Sequence, residues 1–417
     1  MSTGPLDLVL RRASIHGRDH GLLFDIGVRD GLIVEIAPEI NTDAREIDVQ
    51  GCLVFGGFIE THIHLDKACI LGRCGHSESL SHATAKVSQL KSEFTQEDIY
   101  ARGQSVLEKA IVQGTTRMRT HVEIDPLIGL RGFDAISKLK KDYLWAIDLE
   151  ICVFPQEGLL NNPGTDELLV EALERGADVI GGCPYTDDNP KGQIARIFEL
   201  ARHYDVDIDF HLDFDLDPSR MDLYEVCRQA ENYGYGGRVA VGHVSKLSAA
   251  PPPLLQEAAR MMRDAGVALT VLPSTDLYLM GHGETHSVPR GIAPAHRLLQ
   301  QGITCSISTN NVLNPFTPFG DCSLLRMANL YANALQVGGA DELNLCFEMV
   351  TSQSARLMNA DDYGLEIGNR ADLIVLDAPT TFAAVTELAQ PLLGFKAGKQ
   401  TFSRPRPKLF RPGDIVS

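Results

Sequence analysis

The sequence predicts a (β/α)8 barrel, closed in the manner of a TIM barrel and joined to a small β-sandwich that both chain ends build. Three observations predict it. Apolar runs rich in β-branched residues alternate with amphipathic segments at roughly 30-residue intervals, the signature of repeated βα units around a parallel sheet. Short strands broken by turns fill the first 56 residues and recur near the other end. Histidines fall at the ends of several central strands, where a barrel would gather them at one mouth.

The N-terminal strands read Leu6-Asp-Leu-Val-Leu, Phe24-Asp-Ile-Gly-Val, Leu32-Ile-Val-Glu-Ile and Cys52-Leu-Val-Phe. Far along the chain, Ala371-Asp-Leu-Ile-Val-Leu-Asp is a further strand, preceded by a Gly-Asn-Arg turn. Residues 1–56 and 363–417 are therefore expected to pair as one composite sandwich around a barrel of residues 57–362. At 417 residues the chain is long enough for a barrel of about 250 residues plus this appendage.

Eight barrel strands can be counted: Gly57 to His64, Thr116 to Val122, Glu150 to Gln156, Val179 to Tyr185, Asp207 to Phe214, Val239 to Val244, Val267 to Pro273, and Thr304 to Asn310. The segments between them, such as Leu168-Leu-Val-Glu-Ala-Leu-Glu-Arg, carry apolar residues at helical spacing and form the expected outer ring.

Hydrophobic residues at 44% and charged residues at 22% match a folded globular protein with a sizeable core. The balance of 38 basic against 55 acidic residues, −17 overall, makes nucleic acid and anionic membrane poor partners. No secretory leader or bilayer-length apolar stretch is apparent, so a cytoplasmic location is expected. The nine cysteines are scattered without a CxxC pair, which argues for reduced thiols rather than disulfides or a cysteine metal site.

His62 and His64 sit two apart at the end of the first barrel strand, so the strand period sends both imidazoles to one face, into the barrel. His211 ends the fifth strand and His243 the sixth. Four histidines at one mouth point to a metal centre, because buried structural histidines would each need a separate hydrogen-bond partner. His121, ending the second strand, is open between a supporting role near substrate and a structural one.

These segments resemble the cytosine deaminase branch of the amidohydrolase superfamily, which includes the aminohydrolases that strip alkylamines from hydroxylated s-triazines, the N-isopropylammelide type. The resemblance rests on Gly57-Phe-Ile-Glu-Thr-His-Ile-His-Leu-Asp-Lys, Arg119-Thr-His-Val-Glu-Ile, Phe154-Pro-Gln-Glu-Gly, Tyr204-Asp-Val-Asp-Ile-Asp-Phe-His, Gly242-His-Val, Arg290-Gly-Ile and Pro318-Phe-Gly, with Gly368-Asn-Arg-Ala-Asp-Leu-Ile-Val-Leu as the return strand. It implies that His62, His64 and His211 hold one divalent metal, zinc or iron with cobalt or manganese as alternatives. It further implies that His243 polarises the leaving centre or the attacking water, that Gln156 bonds the amide edge of a ring, and that the chain forms a homo-oligomer. The fourth strand, Gly181-Gly-Cys-Pro-Tyr, offers no lysine to bridge two metals, so the site is expected to be mononuclear.

Two positions depart from that pattern. The aspartate expected after the eighth strand is Asn310, in Ser308-Thr-Asn-Asn-Val, and the glutamate expected three residues after His211 is Phe214. An asparagine carbonyl can ligate a metal but cannot take a proton. A site of neutral histidines lowers the pKa of bound water to about 7 without a dedicated base, which leaves Asp213 or Asp215, in parity with His211, as the expected proton carrier. Lys67 is expected to hold an anionic substrate group or to pair with Glu60 or Asp66, and His282, Glu284 and His286 lie on a loop that could cover the mouth.

The expected function is hydrolysis of a C–N bond, as a deaminase or amide or amine hydrolase, on a small nitrogen heterocycle such as a pyrimidine or s-triazine. Two alternatives accompany it. One is a ligand-binding barrel that has lost its hydrolytic machinery; the other is a hydrolase of a different substrate class for which Asn310 is an adaptation.

Overall fold

The computed structural model describes residues 4–18, 21–77 and 79–410, so the last seven residues assigned to the composite sandwich, and the first three, lie outside the described residues. Five strands precede the barrel: β1 (Leu8–Ile15), β2 (Phe24–Arg29), β3 (Leu32–Ala37), β4 (Arg45–Asp48) and β5 (Leu53–Phe55). The barrel follows as β6 (Phe58–Ile63), β7 (Thr115–Glu123), β8 (Asp148–Phe154), β9 (Val179–Gly182), β10 (Asp207–Leu212), β11 (Val239–His243), β12 (Val267–Val271) and β13 (Cys305–Ile307). The chain returns through β14 (Leu373–Leu376), β15 (Pro391–Lys396) and β16 (Lys399–Ser403).

Strands β6 to β13 pair in sequence order and in parallel, each with its neighbour. Closure comes at the mouth. Asn310 bridges Ile63, its N–H donating to the His62 carbonyl at 2.9 Å while the His64 N–H donates to the Asn310 carbonyl at 2.9 Å. The Glu60 carboxylate reinforces the seam by accepting the Thr309 N–H. Below the mouth, the hydroxyls of Thr61, Thr270, Ser306 and Ser308 bond to one another across the barrel axis, satisfying polar groups that water cannot reach.

Both chain ends meet in one continuous mixed sheet, ordered β16-β15-β14-β5-β1-β2-β3 with β4 on β1, and the return strand β14 lies antiparallel to β5. Its own core joins Leu8, Leu10, Ile26 and Val54 from one end to Leu373, Val375 and Phe395 from the other. Neither end could bury these side chains alone, at about 1.5–3 kcal/mol for each large apolar group withdrawn from water. The buried Lys396 ties this sheet to the barrel by pairing with Asp148 and Asp372, both at 2.7 Å.

After β6 the chain makes a helix, Leu80–Lys91, that packs over the mouth. Ser79 caps it by accepting the His82 N–H, and Ala83, Val87 and Lys91, four residues apart, share its buried face. Among the described residues no helix is long and apolar enough to cross a membrane.

Candidate metal centre

The strand period delivers the histidines as the sequence predicts. His62 and His211 bring their Nε2 atoms to 3.0 Å, and His64 brings its Nε2 to 3.1 Å from the same His211 nitrogen. A single proton cannot serve both contacts, so at least two lone pairs converge on one point. His64 donates its Nδ1 proton to the His121 carbonyl at 3.2 Å, which leaves its Nε2 as the free lone pair. Burial pushes the pKa values of His62, His64 and His211 well down, and the neighbouring imidazoles, with Lys67 near His64 and His211, oppose protonation further, so all three rings are neutral and able to ligate.

Close packing sets their angles. Phe154 stacks on His211 with centroids 4.5 Å apart and planes 15° from parallel. Gly242 stands where any Cβ would come within 3.0 Å of the His62 ring, so a side chain there would displace the imidazole. At Gly181 a Cβ would fall 2.5 Å from the Asp209 carbonyl. That position therefore has no room for a side chain.

Asn310 lies beside these imidazoles. Its Oδ1 is buried with no hydrogen-bond partner, while its Nδ2 lies 3.4 Å from His243 Nε2. An orphaned acceptor beside converging imidazole lone pairs is the donor set of a divalent cation with N/O preference. Asn310 has φ of 64°, a left-handed conformation that asparagine tolerates well.

His121 also belongs to the cluster, since one ring nitrogen each of His62, His121 and His211 lies within 4.8 Å of the others. It stacks flat on His62, at 3.7 Å and 23°, and turns its Nε2 towards Asp209 Oδ1 at 3.6 Å. Asp209 in turn pairs with the buried Arg119 at 3.0 Å. Burial alone would raise the Asp209 carboxyl, but His121 and the Arg119 guanidinium hold it below the ordinary range. Asp209 shares strand parity with His211, a signal the sequence reading passed over.

His243 sits across the cavity with its Nδ1 on Asp276 Oδ1 at 2.6 Å, both fully buried. Asp276 lies on the short helix Pro273–Leu279 after β12, and its other oxygen accepts the Leu272 N–H at 3.2 Å. Burial pushes this carboxyl up and the imidazole opposes the shift. Asp276, five residues beyond the end of β12 and behind Pro273, was not singled out in the sequence. His243 and the β-branched Val244 are consecutive left-handed residues, with φ of 69° and 45°, strain of a kind concentrated at working sites.

Two expectations do not match the geometry. Asp213 turns away from the imidazoles to cap the helix Leu223–Tyr233, its oxygens accepting the Asp222 and Leu223 N–H groups at 3.0 Å each. Its left-handed φ of 48° redirects the side chain that strand parity would have sent inward. Asp215 is solvent-exposed and faces Lys246 at 3.3 Å. Where the resemblance places a glutamate, the Phe214 ring lies 3.8 Å from the His243 ring.

Lys67 does pair with a carboxylate, but with Glu123 at 2.7 Å rather than Glu60 or Asp66. Its ammonium also donates to Gln156 Oε1 at 3.0 Å, which fixes the carboxamide and directs its oxygen at Lys67. Lys67, Gln156, His64, His211, His243 and Asn310 line one small cavity, which neither Asp213 nor Asp215 lines. A second acidic group, Glu123, Asp125 and Glu157, has metal-like spacing, but the Lys91 ammonium already occupies its centre. His282, Glu284 and His286 are exposed and do not line the cavity.

The pattern of the amidohydrolase family matches residues 133–402. The chain belongs to that family. This amidohydrolase is 28% identical over 408 residues to N-isopropylammelide isopropyl amidohydrolase of Pseudomonas sp. strain ADP, covering 94% of this chain and 96% of that protein. It superposes on the crystal structure of 5-methylcytosine deaminase from Klebsiella pneumoniae with a TM-score of 0.92 and 28% identity, over 97% of this chain and 100% of the other. With N-isopropylammelide isopropylaminohydrolase from Burkholderia multivorans the TM-score is 0.82 at 25% identity, over 94% and 97% of the two chains. The family is metal-dependent and hydrolyses C–N bonds, and the His-rich cluster of this amidohydrolase fits a metal.

Proposed function

We propose that this amidohydrolase holds one divalent ion, zinc or iron, through His62, His64, His211 and the Asn310 carbonyl, and removes an amino or alkylamino group from a small nitrogen heterocycle. The convergence of three neutral imidazoles beside the His243–Asp276 pair carries this reading. The relatives point to the same substrate class, since they act on ammelide and methylcytosine rings. A divalent cation held there acidifies water and polarises the ring carbon under attack.

The protein's own groups handle the proton. With Asp276 accepting the Nδ1 proton, His243 keeps a lone pair on Nε2 and faces the cavity as a base. It takes a proton from the attacking water at Nε2, and the resulting imidazolium is stabilised by Asp276, as in other histidine–carboxylate pairs. The same proton then passes to the departing amine nitrogen. His243 thus takes over the work that the missing aspartate and glutamate would do, while Phe214 keeps its outer face dry. His121, held by Asp209, supports the His62 ring from behind.

The acidic surface and the nine free cysteines, seven of them buried, suit a reduced cytoplasmic setting, and the resemblance supports a homo-oligomer. Elemental analysis of purified protein should find about one metal per chain, lost in His62→Ala, and a screen of aminopyrimidines and alkylamino-s-triazines should detect ammonia or amine release. Stoichiometric metal with no release from any ring would leave a ligand-binding barrel instead.

A further inference from the structure

We propose that Lys91, which lies outside the cavity, is a positioning residue that fixes the hydrogen-bonding polarity of the cavity's Lys67–Gln156 wall, so that this wall takes only a ring edge built of acceptor atoms. The inference rests on the reading above that the cavity holds a nitrogen heterocycle. Lys91 is the last residue of the helix Leu80–Lys91, whose first residue, Leu80, lines the cavity. Its ammonium is buried and reaches Glu123 at 2.5 Å, Asp125 at 2.8 Å and Glu157 at 2.6 Å.

Glu123 divides its two oxygens between two cations, Oε2 to Lys91 and Oε1 to Lys67. Burial would raise the Glu123 carboxyl, but the two lysines hold it far down, at about 2, so it is a fixed anion. Lys67 then spends another N–H on Gln156 at 3.0 Å. An ammonium only donates, so the Gln156 atom facing it must be the carbonyl oxygen. The carboxamide is thereby locked with its NH2 on the side away from Lys67, one N–H 3.5 Å from Cys183 Sγ, a weak acceptor, and the other left for a ligand. Lys67 itself stands over the Phe316 ring at 4.5 Å. The wall consequently presents mainly donors and a positive charge, its one amide acceptor being turned to the Lys67 ammonium. A ring edge with an N–H or NH2 against it would leave two donors facing each other in a dry site, whereas carbonyl oxygens of an anionic ring would accept from both residues.

Lys91 maintains this arrangement by charge balance. The Glu123 and Asp125 carboxylates share two ammoniums, with the Glu157 carboxyl, pushed up to about 8 by burial, accepting from Lys91 beside them; remove Lys91, and Glu123 Oε2 and Asp125 lose their cation. Lys67 is then drawn fully onto the acidic side, and Gln156 is free to turn over and offer its oxygen.

The test is calorimetric titration of the metal-loaded protein at pH 7 with two ring probes. One is the barbiturate anion, whose malonyl edge carries two carbonyl oxygens; the other is cytosine, whose edge alternates an amino donor with acceptors. Barbiturate should bind about tenfold or more tightly than cytosine, the worth of one charge-assisted hydrogen bond. Lys91→Met should lose most of that preference with metal content unchanged, and Lys91→Arg should restore it. Glu123→Gln, which keeps the shape but cuts the charge link, should behave as Lys91→Met and serves if that variant fails to fold. Cytosine bound as tightly as barbiturate, neither probe bound, or a preference surviving in both variants would overturn the proposal. Titration needs no turnover, so a protein that prefers barbiturate yet releases no amine from any ring would refute the hydrolase reading and leave the polarity of the wall standing.

Discussion

Asp276→Asn should reverse the tautomer of His243 and disable the site while leaving the metal cluster intact. In the wild type both Asp276 oxygens accept, one from His243 Nδ1 at 2.6 Å and one from the Leu272 N–H at 3.2 Å. An asparagine has one acceptor end only. The backbone N–H of Leu272 cannot become an acceptor, and leaving it unpaired when buried costs about 1–3 kcal/mol, so the carbonyl end of the new side chain will face it. The NH2 end then faces His243 and forces Nδ1 to accept, which moves the imidazole proton to Nε2. There it meets Asn310 Nδ2, 3.4 Å away, and the position that had offered a lone pair to the cavity now offers a proton. Losing a positioned base costs about 10²–10⁴-fold in kcat, and exchanging a charge-assisted bond for a neutral one removes about 1–2 kcal/mol of stability. The tautomer can be read without a substrate, from the two ring-nitrogen shifts of His243 in ¹⁵N-labelled protein, and kcat follows on any ring that releases amine. A variant whose Nε2 remains unprotonated, or whose kcat stays within threefold of wild type, would show that His243 is not the base.

Asn310→Asp replaces an orphaned amide oxygen with a carboxylate beside neutral imidazoles, so metal retention against a chelator should rise by at least tenfold, roughly the worth of one charged ligand contact, while amine release should fall because the new carboxylate competes with Asp276 for His243; activity that rises with metal retention would show that the asparagine is a lesion. Burial, with the Glu123 anion beside it, pushes the Glu157 carboxyl up to about 8 against the opposing pull of Lys91. The folded chain thus holds that proton more tightly than the unfolded chain. Its contribution is fully present below the ordinary carboxylate range and is lost as pH rises through about 8. Glu157→Gln should flatten the fall in melting temperature between pH 5 and pH 8.5, measured by calorimetry, and an unchanged slope would remove Glu157 as its source.

The parts of this molecule that were legible in the sequence are those governed by short periods. Strand alternation put His62 and His64 on one face, and the repeat of apolar runs at roughly 30-residue intervals located all eight barrel strands, because each run carries its own local period. The composite sheet was legible for a different reason: strands such as Ala371-Asp-Leu-Ile-Val-Leu are too apolar to stay exposed and had no other partner. Parity failed at Asp213, where a left-handed residue just past the strand end reversed the side chain and gave it to a helix N-terminus. The partner of Lys67 failed too. The nearest carboxylates in sequence were Glu60 and Asp66, yet Glu60 is taken by the barrel seam and Asp66 accepts the Glu123 N–H, so a strand neighbour 56 residues away claims the ammonium. Asp276 was harder to read because it lies on a helix past the end of β12, where no strand period places it beside His243 on the neighbouring β11.

The two departures from the family pattern are better understood together than singly. Converting the expected aspartate to Asn310 removes a negative charge from the centre, and converting the expected glutamate to Phe214 removes a second from its rim. If either had changed alone, the remaining carboxylate would sit beside His243 and compete with Asp276 for its proton, leaving the imidazole charged and useless as a base. With both gone, Asp276 is the one carboxylate in hydrogen-bond contact with His243 among the described residues, and the apolar Phe214 ring shields the pair from solvent. In that dry setting the Asp276–His243 bond is strong and fixes one tautomer. Loss of the usual proton carriers and promotion of His243 are thus one change seen at two positions, and restoring a glutamate at 214 without an aspartate at 310 should impair the site rather than repair it.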